Sequence, residues 1–278
     1  MPELPEVETI RTRLAGSVTG KRFERVEILD PRLTRPADPI TVAAELDGER
    51  VRDLLRRGKY LVFAFESRRH LLVHLRMTGT FLHARTGISA PDPHRRAVVS
   101  LDDGSDVTYR DVRRFGTWLL LEPGELERYW DGKLGVEPLG LEFTAQHLAA
   151  TLAGRKVRIK AALLDQRTVA GVGNIYADEA LWRARIHPLK TAGDLARDDV
   201  SRLRQAVRAA LEVGIARHGA TLRDYRDPLG ASGTMQHEFK VYGRAGEPCD
   251  RCGTPIEKIR AAGRGTSYCP LCQPHPRP

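Results

Sequence analysis

Apolar residues recur along the chain in two different rhythms, and the change of rhythm divides it. Val7, Ile10, Leu14 and Ala15 fall three to four apart and predict a helix over 5–16, behind a proline-limited start. From about 22 to 121 the pattern becomes short β-type runs, RFERVEIL, KYLVFAFE, HLLVHLRM, RRAVVSLDDGSDVTY and GTWLLLE, broken by Gly and Asp-Gly turns. That texture predicts an all-β unit after one helix, a two-layer sandwich being the simplest arrangement. Beyond Pro123-Gly124 helical spacing returns, with helices expected at 144–153, 156–165, 174–184 and 199–218. In the last of these Val200, Leu203, Val207, Ala210, Leu211 and Ile215 make one stripe. YRDPLGASGTMQHE then reads as a long loop, a feature that in compact domains is usually functional or disordered. QPHPRP reads as a frayed tail, and no internal repeat is visible.

The boundaries expected from these shifts are 1–124, 125–235 and 236–278. An apolar fraction of 41% suits a packed globular protein. No run of about 18 apolar residues could span a bilayer. Positions 1–15 are charged where a signal peptide needs an apolar core, so a cytoplasmic location is expected. Forty-five Lys+Arg against 36 Asp+Glu leave a net charge of +9. An excess of that size suits a polyanionic partner, nucleic acid being the commonest.

The four cysteines narrow the picture. Cys249 and Cys252 form one C-x₂-C pair, and Cys269 and Cys272 form another sixteen residues on. Reducing compartments disfavour disulfides, and redox C-x-x-C motifs come singly in a βαβ unit. Two knuckles at this spacing match a tetrahedral Cys₄ zinc site. With every position held by protein, the metal has no open site and is expected to be structural.

Three further stretches carry a family likeness: RRGKY at 56–60, RRFG at 113–116 and GVGNIYADEALW at 171–182. With the PELPE start and the Cys₄ end, in this order along the whole chain, they resemble the bacterial formamidopyrimidine-DNA glycosylases. The resemblance implies an α+β, multidomain protein with an N-terminal β-sandwich and flanking helices. A helical helix-two-turn-helix domain and a C-terminal Cys₄ zinc β-hairpin would follow. It also implies a base-excision repair enzyme acting on oxidised purines, such as 8-oxoguanine and formamidopyrimidines, in damaged double-stranded DNA. Glycosylase activity would be joined to an abasic-site lyase that cleaves by β,δ-elimination. One structural Zn²⁺ would be the only cofactor, with no organic cofactor, no membrane partner, and a monomer that associates with the nucleoid when on DNA.

Residue by residue, removal of Met1 would leave Pro2 as a secondary α-amine able to attack C1′ and form an iminium. Such an amine, with a pKa of about 8 against about 10.4 for lysine, is far more often neutral at pH 7. Glu3 is placed for general acid work on the sugar ring oxygen, and Glu6, one helical turn on, to orient Pro2 or a water. The same residues are also what an ordinary helix start uses. Lys59 corresponds to a phosphate-holding lysine, although a lysine there can equally blunt a strand edge. Met77, Arg113 and Phe115 correspond to side chains that fill the gap left by an extruded base, Arg113 facing the orphaned cytosine. Core packing is the ordinary reading of Met77 and Phe115. Lys160 and Asn174 are expected on the DNA backbone, Asn174 beginning a helix behind Gly171 and Gly173. Arg264, between the cysteine pairs, is expected near the hairpin tip within reach of phosphate.

Three positions depart from the family pattern: Arg76 where glycine is usual, Val112 where proline is common, and a loop at 221–238 lacking the aromatic pair often seen near Thr234 and Met235. An endonuclease VIII-like enzyme for oxidised pyrimidines is the nearest alternative, but PELPE and the RRF stretch oppose it. A non-catalytic zinc DNA-binding protein would not need Pro2, Glu3 and Lys59 together.

Overall fold

The computed structural model describes residues 1–85 and 92–276; the last two residues of the QPHPRP tail lie outside the described residues. The chain forms two compact units, Met1–Asp131 with Arg217–Thr234, and Gly132–Ala216 with Met235–Pro278.

The first unit opens with α1 (Leu4–Val18), whose Leu4, Val7, Ile10, Leu14 and Val18 are fully buried. There follow β1 (Phe23–Ile28), α2 (Pro39–Leu46), β2 (Val51–Arg57), β3 (Tyr60–Phe65), β4 (His70–His74) and β5 (Gly79–Arg85). The unit continues with β6 (Arg95–Leu101), β7 (Ser105–Asp111), β8 (Thr117–Leu121) and α3 (Glu125–Trp130). Two antiparallel sheets form, ordered β1-β6-β7-β5 and β2-β3-β4-β8. Their alternating inward residues meet in one core with the apolar face of α1, and Phe63 touches Phe81 edge-on across the sheets at 5.8 Å. The stretch read as all β also contains α2. There Asp38 caps the first turn by accepting from Thr41 N at 2.9 Å and Pro39 starts the helix, although Ile, Thr and Val give the segment a β-like composition.

Sheet register decides what gathers at one end of the sandwich. The chain crosses between sheets three times, through α2 between β1 and β2 and by short turns from β4 to β5 and from β7 to β8. Because His74 pairs with Thr117 and Gly79 with Asp111, the two crossing turns run side by side. Tyr60 pairs with His74, so the β2–β3 hairpin carrying Lys59 reaches the same end.

In the second unit come α4 (Ala145–Leu152), α5 (Ile159–Leu164), α6 (Asn174–Ala184), α7 (Arg197–Ala216), β9 (Glu257–Ala261) and β10 (Arg264–Tyr268). All four expected helices are present, and β9 and β10 pair between the two cysteine knuckles. Helix α6 is buried almost all round, acidic Asp178 and Glu179 included. Residues 217–234 pack with the first unit because Ala220 N bonds to Glu6 and Tyr225 lies against the sandwich core. The loop expected over 221–238 is shorter: Met235–Glu238 is a 3₁₀ turn and Met235 is fully buried.

Candidate active site and nucleic-acid interface

Helix α1 is a mount for the terminus. Glu3 is its N-cap and its N–H donates to Glu6 Oε2 at 2.8 Å, so an orphan helix donor is satisfied from within the first turn. Pro2, Glu3 and Glu6 are all buried. Two residues further on, Glu8 accepts from Arg56 Nε at 2.8 Å, which ties this turn to the hairpin that bears Lys59. Lys59 is only 5% exposed, which excludes the reading of a surface lysine blunting a strand edge. It lies beside His74, whose imidazole is pushed down to about 3 by burial and then by the positive charges of Arg76 and Lys59. His74 therefore stays neutral, and its Nδ1 accepts from Arg76 N at 2.9 Å.

Glu6 has a second engagement. Its Oε1 accepts from Ala220 N at 2.7 Å, and a Cβ on Gly219, where φ is +78°, would lie 2.7 Å from Glu6 Cγ. Both carboxylate oxygens thus hold backbone, one at the start of α1 and one in the loop. Thr80 Oγ1 donates to Arg226 O at 2.7 Å and His83 N to Pro228 O at 2.9 Å, fastening the same loop to β5.

The two crossing turns carry the expected wedge residues. Met77 is half-buried, whereas Phe115 is 52% exposed, which rules out core packing for Phe115. The Arg113 guanidinium lies 4.8 Å above the Phe115 ring. Arg76 adopts a left-handed φ of 53°, which accounts for the glycine usual at this position. Arg114 does the same at 60° and is held by a bidentate pair to Asp30 at 2.6 and 2.9 Å.

In the second unit the structure corrects one expectation. Lys160 has no exposed surface, and its Nζ lies 2.6 Å from both Asp178 Oδ1 and Thr266 Oγ1. An ammonium so enclosed cannot reach a phosphate; it fastens α5 and α6 to the zinc hairpin. Burial pushes Asp178 up to about 6 against the pull of that ammonium. Glu179 receives the backbone N–H groups of Lys240, Val241 and Tyr242. Gly173, not Asn174, is the N-cap of α6, and Asn174 Nδ2 donates to Gly265 O at 3.1 Å.

Asn174, Tyr242, Lys258 and Ser267 line one concavity beside this contact. Tyr242 and Lys258 did not stand out in the sequence; the available signal was the basic alternation of Lys258, Arg260 and Arg264 around the Ala262-Gly263 turn. Arg264 is exposed and begins β10.

The four cysteine sulfurs lie within 4.8 Å of one another, with Cys252–Cys269 at 3.4 Å, Cys252–Cys272 at 3.6 Å and Cys249–Cys272 at 4.0 Å. A tetrahedral ion with bonds of about 2.3 Å requires sulfurs about 3.8 Å apart, so the set fits one Zn²⁺. Trp182 Nε1 donates to Cys249 Sγ at 3.4 Å and its indole packs into the small core around the knuckles, joining the metal site to α6.

Comparison with known proteins agrees with this arrangement. The N-terminal domain family of formamidopyrimidine-DNA glycosylase matches residues 1–118, its H2TH domain family residues 134–226, and the zinc finger found in FPG and IleRS residues 246–274. A formamidopyrimidine-DNA glycosylase of Symbiobacterium thermophilum is 52% identical over 99% of this chain and 90% of its own length. A Lactococcus lactis FPG mutant in complex with DNA containing Fapy-dG superposes with a TM-score of 0.92 at 37% identity, covering 99% of this chain and all of that one. A MutM complex with carbocyclic 8-oxo-G containing DNA gives 0.91 at 37% identity over 99% of this chain.

Proposed function

The chain belongs to the formamidopyrimidine-DNA glycosylase family and is a DNA glycosylase of base excision repair; on that premise we propose how its own residues remove an oxidised purine and cut the strand. Met1 is first removed, and the Pro2 nitrogen uses its lone pair to form a bond to C1′ of the damaged nucleotide. The C1′–base bond breaks and the purine leaves with a proton. Glu3 protonates the sugar oxygen as the ring opens, giving an iminium on Pro2. Loss of a C2′ proton expels the 3′ phosphate, and a second elimination expels the 5′ phosphate.

The observation that carries this reading is the gathering of parts at one end of the sandwich. Register puts Lys59 and both wedge turns there, and the Glu8–Arg56 bond brings the start of α1 to them. Lys59 serves a lesion phosphate. Met77, Arg113 and Phe115 fill the vacated stack, with Arg113 on the orphaned cytosine. In the second unit Asn174 and Arg264 bind backbone phosphate, and the zinc holds the hairpin from which Arg264 projects. Glu6 keeps α1 and the 217–234 loop in register and, one helical turn from the terminus, orients Pro2 or a water.

We assign the chemistry to 1–124, the helical grip and lesion loop to 125–235 and the zinc hairpin to 236–278. Among the described residues no helix is long and apolar enough to cross a membrane. The protein works in the cytoplasm as a single chain, at the nucleoid when on DNA.

Borohydride trapping on duplexes with 8-oxoguanine opposite each base, and separately on an oxidised pyrimidine, tests the substrate. A covalent adduct and cleavage best opposite cytosine are expected; an adduct only with the pyrimidine would overturn the assignment.

A further inference from the structure

Resting on the wedge reading above, we propose that Asp111 is a positioning residue that makes the Met77 turn and the Arg113–Phe115 turn one rigid body. Asp111 ends β7 and is 1% exposed. Its Oδ1 accepts from the Thr78 hydroxyl in the first turn and from Arg113 N at 3.2 Å in the second. Its Oδ2 accepts from Gly116 N at 2.7 Å. Thr78 Oγ1 in turn accepts from Arg113 N at 2.9 Å, so one hydroxyl and one carboxylate link both turns directly.

Packing behind the carboxylate enforces the same closeness. The Tyr109 hydroxyl sits where a Cβ would stand on either flanking glycine, 2.3 Å from that position at Gly79 and 1.8 Å at Gly116. Only glycine lets both strands close on the ring. Each turn is then set from outside, at Arg76 by His74 and at Arg114 by Asp30.

A wedge must enter the base stack as a unit, because Met77 comes from one turn while Arg113 and Phe115 come from the other. Two turns free to part would each be pushed back by the closing stack. Asp111 touches no substrate and acts through the turns it joins.

The test uses full-length enzyme and a duplex with 8-oxoguanine opposite cytosine and 2-aminopurine beside the lesion. Stopped-flow fluorescence reads base opening, and single-turnover excision is followed in parallel. Cleavage of a single-stranded oligonucleotide with a preformed abasic site is the control that needs no wedge. Asp111→Asn puts an amide where two acceptors are required, Thr78→Val removes the linking hydroxyl while keeping its shape, and Thr78→Ser retains it. Asp111→Asn and Thr78→Val are expected to slow opening and duplex excision about tenfold or more, as loss of bonds to a buried carboxylate implies. Thr78→Ser restores both, and single-strand cleavage is unchanged.

Wild-type opening in both disabling variants would overturn the proposal. So would an equal loss on the single strand, which would make Asp111 a general stability element. If Asp111→Asn fails to fold, Thr78→Val decides alone. Met77→Ala and Phe115→Ala are measured beside them: slow opening there with normal Asp111→Asn and Thr78→Val sinks only the positioning role, whereas normal opening in all four sinks the wedge itself.

Discussion

Lys160 Nζ stands 2.6 Å from Asp178 Oδ1, and neither side chain has exposed surface. Such a pair is costly to break from one side, because the remaining charge is left buried. Lys160→Met is expected to destabilise the zinc-loaded protein by about 3–5 kcal/mol. Lys160→Met with Asp178→Leu recovers most of that loss. Denaturant unfolding of the three proteins checks this; a Lys160→Met protein as stable as wild type would contradict the enclosed pair.

Salt dependence separates this buried lysine from Arg264, the arginine proposed to bind phosphate. Arg264→Ala should lower the slope of log K against log salt by about 1, uniformly across sequences. The Lys160→Met/Asp178→Leu protein should keep the wild-type slope. Chelating the zinc should reproduce the loss of the Arg264 contact while the sandwich stays folded, read by titration on labelled duplex together with the unfolding signal of the first unit.

His74 makes a pH prediction with a definite sign. Its folded value, about 3, lies below the ordinary 6.5, so its contribution is complete above pH 6.5 and is lost as the pH falls toward 3. Each unit below 6.5 costs about 1.4 kcal/mol. His74→Asn, whose side-chain oxygen can still accept from Arg76 N, should lose about 2 kcal/mol less than wild type between pH 7 and pH 5. Equal losses would place the imidazole in water rather than in the enclosed site beside Lys59.

The close approach of Tyr109 to Gly116 gives a paired test. Gly116→Ala puts a methyl into the hydroxyl 1.8 Å away and should cost about 1–3 kcal/mol by overpacking. Adding Tyr109→Phe should return part of it, measured as the change in unfolding midpoint. An additive pair would mean that the ring does not lie between the turns.

How much of this was legible in the chain depends on whether neighbours in space are neighbours in sequence. The α1 stripe, the four later helices and the cysteine knuckles are local periodicities, and all read through. Helix α2 did not, because its signal is a single Asp-Pro cap and the β-branched Ile40, Thr41 and Val42 fill its first turn. Pro2, Glu3 and Lys59 stood out through short motifs. Lys160 looked equally basic, yet its role depends on Asp178 eighteen residues away and Thr266 on the hairpin, and spacing alone cannot report burial. Asp111 and Thr78 meet only through the pairing of β5 with β7, and His74 meets Lys59 only through that of β3 with β4. Register is a tertiary fact, so residues defined by it were silent in the sequence.

The central claim is that the terminal amine of Pro2 is the nucleophile. Mass mapping of the borohydride-trapped complex on 8-oxoguanine duplex tests it most directly. The account predicts that Met1 is absent and that the reduced sugar adduct lies on the peptide beginning at Pro2. An adduct on Lys59, or trapping by protein that retains Met1, would contradict it.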